Sequence, residues 1–201
     1  MFGLVVLIVM VLYLALLVWA TRRGWRWGVE KKGWTGKKRY LGAAIGFFIV
    51  YMPVFWDWIP TVVTHQYYCA RESGFWVYKT LDQWKTENPG VMEGLVANKG
   101  APSTREGAKG GFTDTYFLNQ RINKIVKEYR ASSILPVYRL EQEVVDTKSN
   151  NVLARYEDFW TGYIDGWGDI KFWIGIKDCN SGKDNYGKFL LFKRTFQGAE
   201  K

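Results

Sequence analysis

The sequence predicts an α+β protein in two parts, a transmembrane helical hairpin over residues 1–59 and a mostly antiparallel-sheet domain over residues 60–201. Three observations lead there. Residues 1–20 carry no charged side chain. A second apolar run, residues 41–56, follows a short basic stretch. Beyond it, runs of β-branched and aromatic residues are separated by turn formers, the pattern of strands.

Composition narrows the class. Of the 201 residues 48% are hydrophobic, unevenly placed, and six of the eleven Trp fall before residue 60. Two Cys are too few for a disulfide-dense scaffold, and 23% charged residues argue against disorder.

The first run is long enough to cross a hydrocarbon core as a helix. It lacks the basic leader of a signal peptide, and Trp19-Ala-Thr-Arg-Arg follows where small cleavage-site residues belong. The second run is shorter and more aromatic, with Pro53 inside it, which membrane helices tolerate. Gly42 and Gly46 form a small-xxx-small face suited to close packing, against either the first helix or a partner helix. Carried up the chain, that face predicts a docking strip for a partner.

Between the runs, residues 21–40 are expected as a loop holding Arg22, Arg23, Arg26, Lys31, Lys32, Lys37, Lys38 and Arg39 against one acid, Glu30. Such an excess marks the cytoplasmic side, so both termini face outward, into the periplasm of a bacterium. Trp19, Trp25, Trp27, Trp34, Trp56 and Trp58 fit the membrane–water interface. Anionic headgroups are the expected contact of the basic stretch. Basic residues interleaved with Trp can also bind nucleic acid, but topology already accounts for this charge, and no nucleic-acid partner is expected. Residues 60–201 hold 20 basic and 17 acidic side chains, a nearly balanced domain.

Along that domain, residues 61–74 predict a helix capped by Gly74, and residues 75–80 a strand. Residues 99–111, rich in Gly, predict a long loop. Ile122, Ile125, Val126 and Tyr129 have helical spacing, with a strand as the alternative. Residues 134–146 and 152–160 predict a hairpin around the polar loop 147–151. Ile170, Phe172, Ile174 and Ile176 alternate like a strand, and residues 188–196 predict another. Tyr68-Cys-Ala-Arg-Glu-Ser-Gly74 leading into Val77-Tyr-Lys-Thr80, with Arg139-Leu-Glu-Gln-Glu-Val-Val-Asp146 leading into Val152-Leu-Ala-Arg-Tyr156, resembles an uncharacterised group of small proteobacterial membrane-anchored proteins. The resemblance covers about a third of the chain, implies a bacterial envelope setting and carries no activity.

Cys69 and Cys179 are expected to be bonded, because their number is even and an oxidising compartment preserves disulfides. His65, the sole histidine, stands four residues before Cys69, so a helix places both on one face. Two such ligands fall short of a metal site and lack the orienting partners of a nucleophile. Asp178-Cys-Asn-Ser-Gly-Lys-Asp184 misses the calcium-loop spacing and reads as a turn. Residues 165–169 read as a loop, and Arg139, Glu141 and Glu143 as ordinary solvated alternation. No phosphate loop, nucleotide fingerprint, cofactor motif or serine elbow is legible. The expectation is a non-enzymatic accessory or structural subunit of a bacterial inner-membrane assembly, bound to a membrane-protein partner through hairpin and domain. A stand-alone periplasmic binding or envelope-protection module is the alternative, followed by an enzyme using His65 and Cys69.

Overall fold

The computed structural model describes residues 2–98, 100–108, 110–163 and 171–198, which divide into two compact units, Met1–Ile59 and Pro60–Lys201. The architecture is α+β, as expected.

In the first unit, α1 (Phe2–Arg26) runs on into one π-helical turn, Trp27–Lys31. A short connection and a 3-10 turn at Gly36–Lys38 lead into α2 (Arg39–Phe55), which continues through Pro53. Both helices are long and apolar enough to cross a membrane. The loop expected over residues 21–40 is mostly helix. Thr21–Arg26 holds no Pro, and Arg23 and Arg26 lie in the last turn, where the helix dipole favours cations.

Ala20 and Gly24 of α1, with Gly28 of the π-helical turn, face Gly42 and Gly46 of α2 with their backbones almost touching. A Cβ on Gly42 would land on the Gly24 carbonyl oxygen, one on Gly46 on that of Ala20, and one on Gly24 on that of Gly42. Helices approach this closely only where side chains are absent. The glycine face is therefore spent inside the hairpin, which removes the docking strip expected there. Tyr13 also donates across the pair to the Val50 carbonyl (3.3 Å) and meets the Phe55 ring edge-on. At the turn, Trp25 packs against Tyr40 and Trp27 against Trp34, with Arg39 over Trp25 and Lys32 over Trp27.

The second unit begins within α3 (Trp58–Arg71), which is followed by β1 (Gly74–Val77), α4 (Leu81–Glu87), the single turn α5 (Val91–Gly94), β2 (Ser103–Ala108), β3 (Gly111–Phe117), β4 (Ile122–Arg130), β5 (Val137–Asp146), β6 (Asn151–Thr161) and α6 (Asn185–Thr195). The strands form one antiparallel sheet in the order β1-β6-β5-β4-β3-β2. Only β1 breaks the sequential meander, by pairing with the last strand.

One sheet face carries the core. Trp84, Leu118, Ile122, Val144, Leu153, Tyr156, Phe189 and Phe196 are buried together, bringing α4 and α6 onto the strands. Thr80 starts α4 with a reciprocal cap, its hydroxyl accepting from Gln83 N (3.3 Å) while Gln83 Oε1 accepts from Thr80 N (2.9 Å). Asn150 closes the β5–β6 hairpin at φ +56°, a left-handed position that Asn tolerates.

Four local expectations change. Residues 188–195 are helix, capped by Phe196: Phe189, Phe192 and Phe196 follow the period of 3.6, and two of them enter the core. Ser103–Ala108 is strand β2 and not loop, because an edge strand needs only main-chain pairing while its polar side chains face water. Ile122–Arg130 is strand β4, the alternative reading of that stretch. Residues 171–178 form no strand; a 3-10 turn at Phe172–Ile174 is pinned instead by Thr161, which donates to the Ile174 carbonyl (2.6 Å) and accepts from Ile176 N (2.9 Å). Ile170 and residues 165–169 lie outside the described residues. The α3 helix also ends before Gly74, which begins β1, and Ser73 satisfies a terminal carbonyl by donating to Cys69 O (2.8 Å).

Candidate functional site

The sheet face opposite the core is built from β4, β5 and β6. Register places Lys127 beside Glu141, Glu141 beside Glu157, and Glu143 beside Arg155. Strand alternation sends all of these side chains, with Tyr129, Arg139, Phe159 and Trp76, to that face.

Glu141, Glu143 and Glu157 are only 6%, 4% and 4% exposed. This corrects the expectation of solvated alternation at Glu141 and Glu143. They are covered by the cations they hold: Lys127 Nζ reaches Glu141 (3.0 Å) and Glu143 (2.9 Å), and Arg155 reaches Glu143 (2.6 Å). Arg139 joins Glu157 to Glu72, just beyond the end of α3, the second contact at 3.2 Å. Burial pushes the Glu143 carboxyl up, but hydrogen bonds from Lys127 and Arg155 prevail and hold it below the usual carboxylate range. Glu143 thus stays ionised, and together the three buried carboxyl groups fix three cationic heads at set positions. Partly exposed pairs of this kind are worth about 0–1 kcal/mol each, so their main effect is orientation.

At the Phe159 end, α3 lies across this face. Tyr68 stacks on Phe159 (centroids 4.8 Å apart, planes within 4°) and donates to the Ala131 carbonyl (3.3 Å). His65 is 3% exposed and stands with Nε2 3.1 Å from the Phe159 carbonyl oxygen. A carbonyl only accepts, so Nε2 carries the proton and Nδ1 keeps the lone pair. Cys69, one turn along α3, is bonded to Cys179 with a Cα separation of 5.0 Å, as expected. His65, Cys69 and Cys179 bring their ligand atoms within 4.8 Å of one another, the one such His/Cys/Asp/Glu group among the described residues.

The segment carrying Cys179 is held independently. Cys179 N donates to Phe159 O (3.4 Å), Asn180 Nδ2 to Glu157 O (2.9 Å), and Asn185 Nδ2 to Asn180 Oδ1 (2.7 Å). The polar groups after Asp178 therefore bind protein, as a turn requires, and the turn leads into α6.

Comparison with known protein families, characterised proteins and solved structures returns no match.

Among the sequence-predicted residues, the structure joins His65, Cys69 and Cys179 in one cluster and Gly42 with Gly46 in one helix contact. Trp25, Trp27 and Trp34 gather at the hairpin turn, while Trp19, Trp56 and Trp58 are exposed. The ion-pair face escaped sequence reading. Its signal was the Glu-x-Glu of β5 matched to cations at the same alternation in β4 and β6, legible only once register is known. Lys124, on the core face, was likewise missed. It sits over the Tyr116 and Phe189 rings, and burial, with Lys193 nearby, pushes its amine down to about 8.

Proposed function

We propose that this chain is a membrane-anchored accessory subunit whose sheet domain binds a protein partner through the ion-pair face. Held by α1 and α2 in a bacterial inner membrane, it exposes its basic turn to the cytoplasm and its domain to the periplasm. The eight basic residues around the turn support that orientation, and a cysteine pair joined as a disulfide suits an oxidising compartment.

The observation that carries the binding role is the surface of the face itself. Arg139 and Arg155 side chains are 24% and 34% exposed above the buried carboxylates, while Trp76 and Tyr129 are 37% and 36% exposed beside them. Arg, Trp and Tyr are the residues that dominate binding energy at protein interfaces. Cations already locked in place lose little freedom on association.

Two experiments test this. A reporter active only in the periplasm should be on when fused after Lys201 and off when inserted at Lys31; the opposite pattern refutes the orientation. A photo-crosslinking residue at Trp76 or Tyr129, in native membranes, should capture a defined protein, and one at Leu191, 60% exposed on α6, should not. Equal or absent capture at both positions would favour a stand-alone module.

A further inference from the structure

We propose that His65, Cys69 and Cys179 have a second state: once the disulfide is reduced, they form a three-ligand site for a thiophilic d10 cation, with Zn2+ the probe of choice. Three features of the fold carry this.

First, the ligand set is already gathered. Zinc–sulfur and zinc–nitrogen bonds of about 2.3 and 2.0 Å define a tetrahedron with edges of ~3.5–3.8 Å. His65 Nδ1 is 3.6 Å from Cys69 Sγ, and one ligand atom each of His65, Cys69 and Cys179 lies within 4.8 Å of the other two. Reduction frees the two sulfurs to separate to the same edge length by side-chain rotation.

Second, the histidine is oriented as a metal ligand. Its Nε2–H donates to the Phe159 carbonyl, which leaves Nδ1 as the electron-pair donor beside Cys69. Ligating histidines characteristically fix their second nitrogen on a backbone carbonyl or carboxylate in this way. His65 is buried, so that hydrogen bond meets little competition from water.

Third, neither side of the cluster depends on the disulfide for its place. The α3 side is held by the Tyr68–Phe159 stack, the Tyr68–Ala131 hydrogen bond and the Glu72–Arg139 pair. The Cys179 side is held by the bonds from Cys179 N and Asn180 to β6. Reduction therefore leaves a dithiol beside an imidazole, with Cys69 and Cys179 partly exposed and a fourth position open to water.

The chemistry balances. A dithiol reductant gives two electrons and two protons to the Cys69–Cys179 bond, yielding two thiols and its own cyclic disulfide. Zn2+ then displaces the two thiol protons to solvent. A disulfide oxidant reverses the sequence, reforming the bond, taking up the electrons as two thiols and releasing Zn2+. The inference does not depend on which side of the membrane the domain occupies.

The test uses the full chain in detergent micelles, reduced with a phosphine and freed of metal by a chelator. Titration with Co2+ should produce a sulfur-to-cobalt charge-transfer band saturating at one ion per chain, and Zn2+ should displace it. His65→Ala should weaken Zn2+ binding by at least ~10-fold, the smallest loss seen when even an outer partner of a ligand is removed. Oxidised glutathione should release the zinc and restore a chain without free thiols. The proposal is overturned if the reduced chain, with two titratable thiols and unchanged near-ultraviolet circular dichroism, takes up no Co2+. It is equally overturned if reduction abolishes that dichroism, if His65→Ala binds Zn2+ as tightly as the parent, or if oxidised glutathione leaves the zinc in place.

Discussion

Replacing Gly46 with valine is expected to part the two helices of the hairpin. The new Cβ would occupy the position of the Ala20 carbonyl oxygen. A backbone atom cannot swing aside as a side chain can, so the loss should exceed the ~1–3 kcal/mol of ordinary overpacking. Separation would also break the Tyr13–Val50 hydrogen bond. Gly3→Val is the matched control, because a Cβ at Gly3 meets nothing within 4 Å. Resistance of the compact hairpin to rising detergent denaturant, read as gel mobility, should fall sharply for Gly46→Val and stay at the parent value for Gly3→Val. Identical behaviour of the two variants would refute the glycine contact.

The second large effect is expected in the core. Trp84 is 1% exposed, packs edge-on against Phe196 and donates from Nε1 to Asp146 Oδ2 (2.9 Å). Truncation to alanine should cost about 3–5 kcal/mol. Asp146 is itself 1% exposed and also accepts from Arg121 Nε at 2.9 Å. Burial pushes its carboxyl up, but the hydrogen bonds from Arg121 and Trp84 prevail and bring it down to about 2. An acid depressed in the folded state adds stability above its unfolded pKa and loses it as pH falls through the folded value. From an ordinary value of 3.8 to about 2, this is worth about 2 kcal/mol. The full chain should therefore lose that increment between about pH 4 and pH 2, whereas Asp146→Asn should lack it at neutral pH and show a correspondingly flatter decline. Urea unfolding at several pH values, followed by near-ultraviolet circular dichroism, measures the difference, and parallel pH profiles would contradict the assignment.

How much of this was legible depended on whether the information was local. The span in α1 and the β5–β6 hairpin follow from hydropathy and alternation within one window, and both are found. Residues 188–196 read as a strand, yet the spacing of three between Phe189 and Phe192 places them on one helical face towards Phe75. Propensity is the weaker signal where packing decides. The buried carboxylates of β5 could not be read, because Lys127 and Arg155 reach them from strands 12 to 16 residues away in sequence. Alternation alone places a Glu on a face without saying whether that face is wet. His65 and Cys69 were visible as a pair because a helix turn joins them; the arrival of Cys179 rested on cysteine count and compartment.

The pairing of β1 with β6 has a consequence for biogenesis. Val77 lies opposite Ala154 and Gly74 opposite Glu157, so roughly 80 residues must be synthesised before β1 finds its partner. At ~5–20 residues per second, that interval is about 4–16 s. During it Cys69, 110 residues ahead of Cys179, is a nascent thiol with its neighbour not yet made. The first strand to emerge is thus the last to be seated, and the Cys69–Cys179 bond can close only once residue 179 has been made.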